Sequence, residues 1–327
     1  MNPAQRPAYA RVPAPLHPDA RRYFETMDEM MERKRIPPLW TIDVPRRRAL
    51  HKMLIAAGRP PMMPCDLIEN VEIPTRGGVR PGRVFRGVPN GTADLPTIVY
   101  HHGGGFAIGG IDESEHELRR YAAAVPAVVV AIEYRKSPEH PYPAAEEDCY
   151  DALIWAAENA ARYGGNPDRI VLTGVSAGGG AATATARRSV ERGGPPIKLV
   201  APVTPWYDKT LSLPSLRTYA SGYHPDVGEI THYRDLYLPG GARDADPYNS
   251  PAIFPALAAM PPHYILIAEC DAVADDGYAF AERLREAGVP CEVVVGKGLV
   301  HALTLVAHLI PAANEYLDGL HAAIRRA

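Results

Sequence analysis

The chain has 327 residues, with 35 Lys and Arg against 38 Asp and Glu, a formal net charge of −3 and a pI near 6.5. That balance provides no basic footprint for nucleic acid or an anionic membrane surface. At 46% hydrophobic and 22% charged the composition is that of an ordinary globular chain, long enough for one large α/β domain or two smaller ones. The four cysteines, Cys65, Cys149, Cys270 and Cys291, have no metal or redox spacing, so free thiols are expected and no metal. The first 20 residues lack the apolar core of a signal peptide, and no apolar run approaches ~18 residues. The expectation is a soluble cytoplasmic protein without a membrane span.

Residues 1–17, rich in Pro and Ala, are expected to be loosely held. From Asp19 a helical pattern begins, with Tyr23, Phe24, Met27, Met30 and Met31 at three- and four-residue spacings, and Pro37-Pro38 stops it. A second helix is expected from Val44 to Ala57, ended by Gly58 and Pro60-Pro61. Neither alternates with a strand, so residues 1–60 read as a helical appendage. Its Met-rich face suits a soft lid over an apolar ligand, because Met adapts to irregular shapes. Ordinary packing against the core is the alternative.

Val71-Glu-Ile and the run from Arg80 to Arg86, joined across Gly77-Gly78, read as a hairpin. Strands and helices then alternate: a strand at Thr97–Tyr100, a helix near 113–124, a strand from Ala127 to Ile132, and a helix from Ala144 to Tyr163. A strand from Arg169 to Thr173 follows, then a helix towards Arg192 and a strand at 197–202. This rhythm implies a mostly parallel sheet with helices on both faces. It breaks between Val203 and about Pro255, where Trp206, Tyr207, Tyr219, Tyr223, Tyr233 and Tyr237 crowd together. It resumes with a strand at His263–Cys270, a helix over 276–287, a strand at Cys291–Val295 and a last helix from about Ala302 to Arg325. The divisions expected are a core of 61–202 and 256–327, with 1–60 and 203–255 as the two parts of a composite cap.

The chemistry centres on Gly174-Val175-Ser176-Ala177-Gly178, where an apolar run ends and a helix-compatible run begins. Gly-x-Ser-x-Gly in that context is the elbow that exposes a nucleophilic serine. A serine hydroxyl needs a base and a group that orients the base. Functional groups of doubly wound sheets stand at the carboxyl ends of strands. Asp271 directly follows the run ending at Cys270, and His301 lies in the turn between the last strand and the last helix. Asp275 and Asp276 read as helix caps, and His308 and His321 as residues inside the last helix. The order Ser176, Asp271, His301 is that of the α/β-hydrolases. His101-His102-Gly103-Gly104-Gly105-Phe106 directly follows a strand and leaves backbone N–H groups free; with the Ala177 N–H they can hold an oxyanion. No Gly-x-Gly-x-x-Gly or P-loop lysine accompanies them, which argues against a phosphate loop.

With these four elements the chain, from about Val71 to its end, resembles the hormone-sensitive-lipase-like branch of the α/β-hydrolases. His102–Phe106 is similar to the family's oxyanion motif, Tyr134–Pro141 to the segment after its fourth strand, Gly174–Gly179 to its elbow, and Asp271–Gly277 to its acid loop. The chain departs from the family with Val at 175, Ala-Val after Asp271 and Ala-Leu after His301. The resemblance implies an α/β-hydrolase fold with a two-part helical cap and oxyanion donors at Gly104, Gly105 and Ala177. The expected function is a cofactor-independent serine carboxylesterase acting on small to medium-chain esters, with Ser176, Asp271 and His301 catalytic. A lactonase or amidase with the same triad and a non-catalytic ligand binder are the alternatives. The expected partner is a small-molecule ester, and the last strand around Glu292–Val295 is a candidate homodimer edge.

Overall fold

A computed structural model of the chain describes residues 13–89, 91–241 and 246–327. Two helices open it. In α1 (Pro18–Arg33) proline stands at the first position and His17 Nδ1 accepts the Asp19 N–H at 3.2 Å. In α2 (Val44–Ala57) Asp43 Oδ1 accepts the Arg46 N–H at 3.1 Å, and Gly58 follows the last turn. Residues 1–12 of the segment expected to be loose lie outside the described residues. The rest of that segment is tied down: the Ala14 N–H donates to Tyr219 Oη at 3.2 Å and the His17 N–H to the Gly298 carbonyl at 2.9 Å.

The hairpin of β1 (Leu67–Thr75) and β2 (Gly78–Arg86) leads into β3 (Leu95–His101), α3 (Ile111–Ala124), β4 (Val128–Ile132), α4 (Ala144–Asn159), β5 (Gly165–Val175), α5 (Ala177–Arg192) and β6 (Ile197–Val203). After an insert holding α6 (Ser215–Thr218) and α7 (Val227–Tyr237), the alternation returns with β7 (His263–Cys270), α8 (Ala274–Glu286), β8 (Cys291–Val300) and α9 (Asn314–Arg326). The strands form one sheet in the order β1-β2-β4-β3-β5-β6-β7-β8; β1 and β2 are antiparallel, and the strands from β4 to β8 run parallel. Every residue of β3 and β4 is buried, because helices cover both faces of the sheet there. β8 closes one edge, as expected for the last strand.

Two expectations need correction. The last helix does not run from Ala302: residues 301–309 form turns, Pro311–Ala313 a short 3₁₀ turn, and α9 begins at Asn314. Pro311 is the physical reason, since it has no N–H to continue a helix from Ala302. His308 therefore lies in a turn, edge-on to His116 at 5.5 Å, and only His321 is helical. Asp275 and Asp276 do not act as caps for α8, whose N-terminus has no side-chain cap. Both are buried and hold the insert instead. Asp276 Oδ1 accepts the N–H groups of Tyr207 and Asp208 at 2.5 and 2.6 Å, and Asp275 Oδ2 accepts the Ser215 N–H at 2.8 Å. The first turn of α8 is thus the floor on which residues 204–215 are built.

Asp276→Ala strands two buried N–H groups, and each buried donor left without a partner costs about 1–3 kcal/mol. The expected loss is about 3 kcal/mol or more, against about 1 kcal/mol for the cap role that the sequence suggested. Urea midpoints at constant slope measure it.

Candidate active site

The site is built where β3, β5 and β6 end. Ser176, between β5 and α5, has φ 59° and ψ −120°, a conformation that costs about 1–3 kcal/mol and needs surrounding structure to hold it. Its N–H donates to the Val203 carbonyl at 2.9 Å, and its carbonyl accepts the Trp206 N–H at 3.1 Å. The turn also lies hard against β3. A Cβ added to Gly178 would stand 2.1 Å from the His101 carbonyl oxygen, so only glycine permits the approach.

Asp271 and His301 meet although 30 residues separate them: the His301 Nδ1–H donates to Asp271 Oδ2 at 2.7 Å. Asp271 is 1% exposed, and its other oxygen accepts the Val273 N–H at 2.9 Å. With Nδ1 carrying the proton, His301 Nε2 keeps its lone pair. The Ala302 N–H donates to Thr204 Oγ1 at 3.2 Å, which ties the histidine turn to the end of β6. Sequence reasoning missed Thr204, and no local signal marks it.

The glycine loop after β3 runs beside the elbow. Among the described residues the N–H groups of Gly104, Gly105 and Ala177 have no protein acceptor. The loop is braced from behind. The neutral His102 ring stacks on Tyr134 at 3.9 Å and donates from Nδ1 to the Gly103 carbonyl at 2.8 Å; Tyr134 Oη donates to the His102 carbonyl at 2.8 Å. Arg48 of α2 donates to the Ala107 and Ser137 carbonyls, each at 2.8 Å, and to both oxygens of Glu139. Burial pushes His102 down to about 4, assisted by the Lys136 charge, and His101 down to about 3.

Gly104, Gly105, Ser176 and His301 line one cavity of about 250 Å³. Tyr23, Met27 and Met31 of α1, Leu54 of α2 and Ile230 and Tyr233 of α7 line it as well. Phe24, expected in the roof, is instead buried between segments, edge-on to Tyr223 and His224 at 6.5 and 5.8 Å. Arg47, His51 and Glu229 also line the cavity. Sequence reasoning did not single them out, because Arg47 stands in an Arg-Arg-Arg run that reads as a solvated face.

A family model described as alpha/beta hydrolase fold matches residues 98–305. Esterase LipI of Mycobacterium tuberculosis is 41% identical over 241 residues, 71% of this chain and 73% of its own length. The chain belongs to the α/β-hydrolases, in their hormone-sensitive-lipase-like branch. This hydrolase is also 28% identical to ethyl acetate hydrolase of Pseudomonas putida over 307 residues, 92% of this chain and 96% of the relative. The solved structure of a hyperthermophilic esterase from Pyrobaculum calidifontis matches it with a TM-score of 0.88 at 30% identity, over 95% of this chain and 98% of that one. The protein is a carboxylic ester hydrolase. Among the described residues no group of three or more His, Cys, Asp or Glu side chains could hold a metal ion, and no helix is long and apolar enough to cross a membrane.

The buried histidines of this hydrolase set its acid limit. His51, His116, His263 and His321 are lowered to about 4 by burial, like His102. The unfolded chain takes up these protons below about 6.5, whereas the folded chain resists until about 4. Their contribution is complete above 6.5 and lost as the pH falls towards 4, at about 1.4 kcal/mol per pH unit for a fully buried ring such as His101. Burial also raises Glu117, takes Glu146 to about 7 and Asp275 to about 6, and pushes Asp276 well above its ordinary range; these four act in the opposite sense but are outnumbered by the six histidines. The urea midpoint is expected to be lower at pH 5 than at pH 7.5, with His102→Asn flattening the difference.

Proposed function

We propose that the protein is a serine carboxylesterase in which Ser176, His301 and Asp271 form the triad and the N–H groups of Gly104, Gly105 and Ala177 hold the oxyanion. The observation that carries this reading is the Asp271–His301 hydrogen bond opening onto the cavity that Ser176 and the unpartnered glycine-loop N–H groups share. Ser176 Oγ attacks the ester carbonyl while His301 Nε2 takes its proton. The carbonyl oxygen becomes an anion held by the three N–H groups, at the positive end of α5. The tetrahedral intermediate then expels the alcohol, which receives the proton from His301. Water repeats the sequence on the acyl-enzyme: His301 takes its proton, the acid leaves, and Ser176 recovers its hydrogen. Asp271 keeps the imidazole in the right tautomer and stabilises the imidazolium; it does not itself take the proton.

Residues 1–60 and 203–255 act as the two parts of a cap over a core of 61–202 and 256–327. Both cap parts supply lining to the cavity. A volume of about 250 Å³ is just under the ~300 Å³ at which drug-sized sites begin, which suits small to medium acyl chains rather than long ones.

A fluorophosphonate should add once, at Ser176, and Ser176→Ala should abolish hydrolysis with the fold retained. Asp271→Asn keeps the shape but favours the wrong tautomer, and turnover should fall by up to ~10⁴. An adduct elsewhere, or a Ser176→Ala protein that still turns over, would overturn the assignment. Met27→Trp fills part of the roof and should shift the preference towards shorter acyl chains in a series of p-nitrophenyl esters from acetate to palmitate. An unchanged profile would remove α1 from the pocket.

A further inference from the structure

The cavity is mostly apolar, yet it contains a buried ion pair. Arg47 of α2 and Glu229 of α7 are 7% and 5% exposed, and Arg47 Nη2 donates to Glu229 Oε1 at 2.6 Å. The Tyr233 hydroxyl donates to the same oxygen at 2.9 Å. Both bonds therefore use Oε1. Among the described residues Glu229 Oε2 receives no protein donor and the buried Nε of Arg47 has no protein acceptor, while the Tyr233 hydroxyl also lies beside the guanidinium. Such a pair is expensive to bury, and its unused valences make it more so unless something else satisfies them.

Its position relates it to the ester. A Cβ on Gly105 would lie 2.3 Å from the Tyr233 ring, so the ring that reaches Glu229 packs directly on the glycine loop. All of Arg47, Glu229 and Tyr233 line the cavity shared by Ser176 and His301. The neighbouring His51 is neutral, held near 4 by burial and by the Arg47 charge. The charges of Arg47 and Glu229 cancel. A charged ligand group would disturb that balance in a mostly apolar site. An uncharged group that both donates and accepts would complete it, donating a hydrogen bond to Oε2 and accepting one from a guanidinium N–H.

We propose that Arg47 and Glu229 form a polar subsite that recognises an uncharged hydroxyl or primary amide carried by the ester, a few atoms from the carbonyl. The inference rests on the serine-esterase reading above and names its substrate class: short esters with a neutral hydrogen-bonding end, preferred over plain alkyl esters of the same length. Hydrogen bonds to charged partners are the stronger kind, and a buried site built to make them discriminates against a ligand that cannot.

The test uses the full-length protein and pairs of esters that differ only by a terminal hydroxyl. One pair carries it on the alcohol side, butyl acetate and 4-hydroxybutyl acetate. The other carries it on the acyl side, methyl hexanoate and methyl 6-hydroxyhexanoate. On one of the two sides kcat/KM should favour the hydroxyl member about tenfold or more, mainly through KM, and the carboxylate-ended methyl hydrogen adipate should gain nothing. The variant Arg47→Met/Glu229→Leu/Tyr233→Phe removes both charges and the hydroxyl together, so no buried charge is left alone. In it the hydroxyl-to-alkyl ratio should fall to about one. If it does not fold, Glu229→Gln, which keeps the shape, should still lower the ratio severalfold. A wild-type ratio of one or less on both sides, or a preference that survives these substitutions, overturns the subsite while alkyl hydrolysis leaves the triad standing. Hydrolysis persisting in Ser176→Ala overturns the triad itself.

Discussion

The contact between the elbow and the end of β3 is the constraint on which the rest of the site depends. At Gly178 the first turn of α5 comes so close to the His101 carbonyl that a methyl group would overlap it. Because of that approach the strained Ser176 and the glycine loop cannot move independently. The end of β6 and the residues just after it complete the clamp from the other side, since Val203 and Trp206 hydrogen-bond the peptide on either side of the serine. The strain of a positive φ is supported by buried strands, where the cost is spread over many backbone bonds.

The acid loop and the insert are coupled through the same region. Asp271 contacts His301, while Asp275 and Asp276, one turn further on, contact the backbone of residues 207–215. One stretch of six residues therefore both orients the histidine and founds the polypeptide that reaches α7. Trp206 lines the cavity and begins this insert, with its carbonyl taken by the buried Lys209 at 2.7 Å. A substitution in the first turn of α8 reaches the cavity wall through these bonds, without touching anything bound there.

Polarity around the cavity is distributed unevenly. Behind the glycine loop, His101 and His102 are buried and neutral; both pack there, and His102 also hydrogen-bonds the Gly103 carbonyl. Opposite, the Arg47–Glu229 pair joins the N-terminal helices to α7. Sequence position explains neither. The His-His-Gly-Gly-Gly run marks its neighbourhood, but which ring stacks on Tyr134 follows from the packing of β4 beside β3.

The order of elements, the hairpin, the limits of α2, the elbow and the His301 turn were legible in the chain itself, because each rests on local rules. Apolar period, Pro and Gly punctuation and cap residues act within a few positions of one another. The same local logic misled where a longer-range partner took over: Asp275 and Asp276 look like caps until the insert packs above them, and the helix expected from Ala302 disregarded Pro311. What the tertiary structure alone decided is which charges meet out of water. Arg47 and Glu229 are 182 positions apart, one in an Arg-Arg-Arg run that reads as a solvated face and the other in an insert whose helix no local pattern announced. Their burial depends on what covers them, and coverage is a property of the assembled layers, not of any segment.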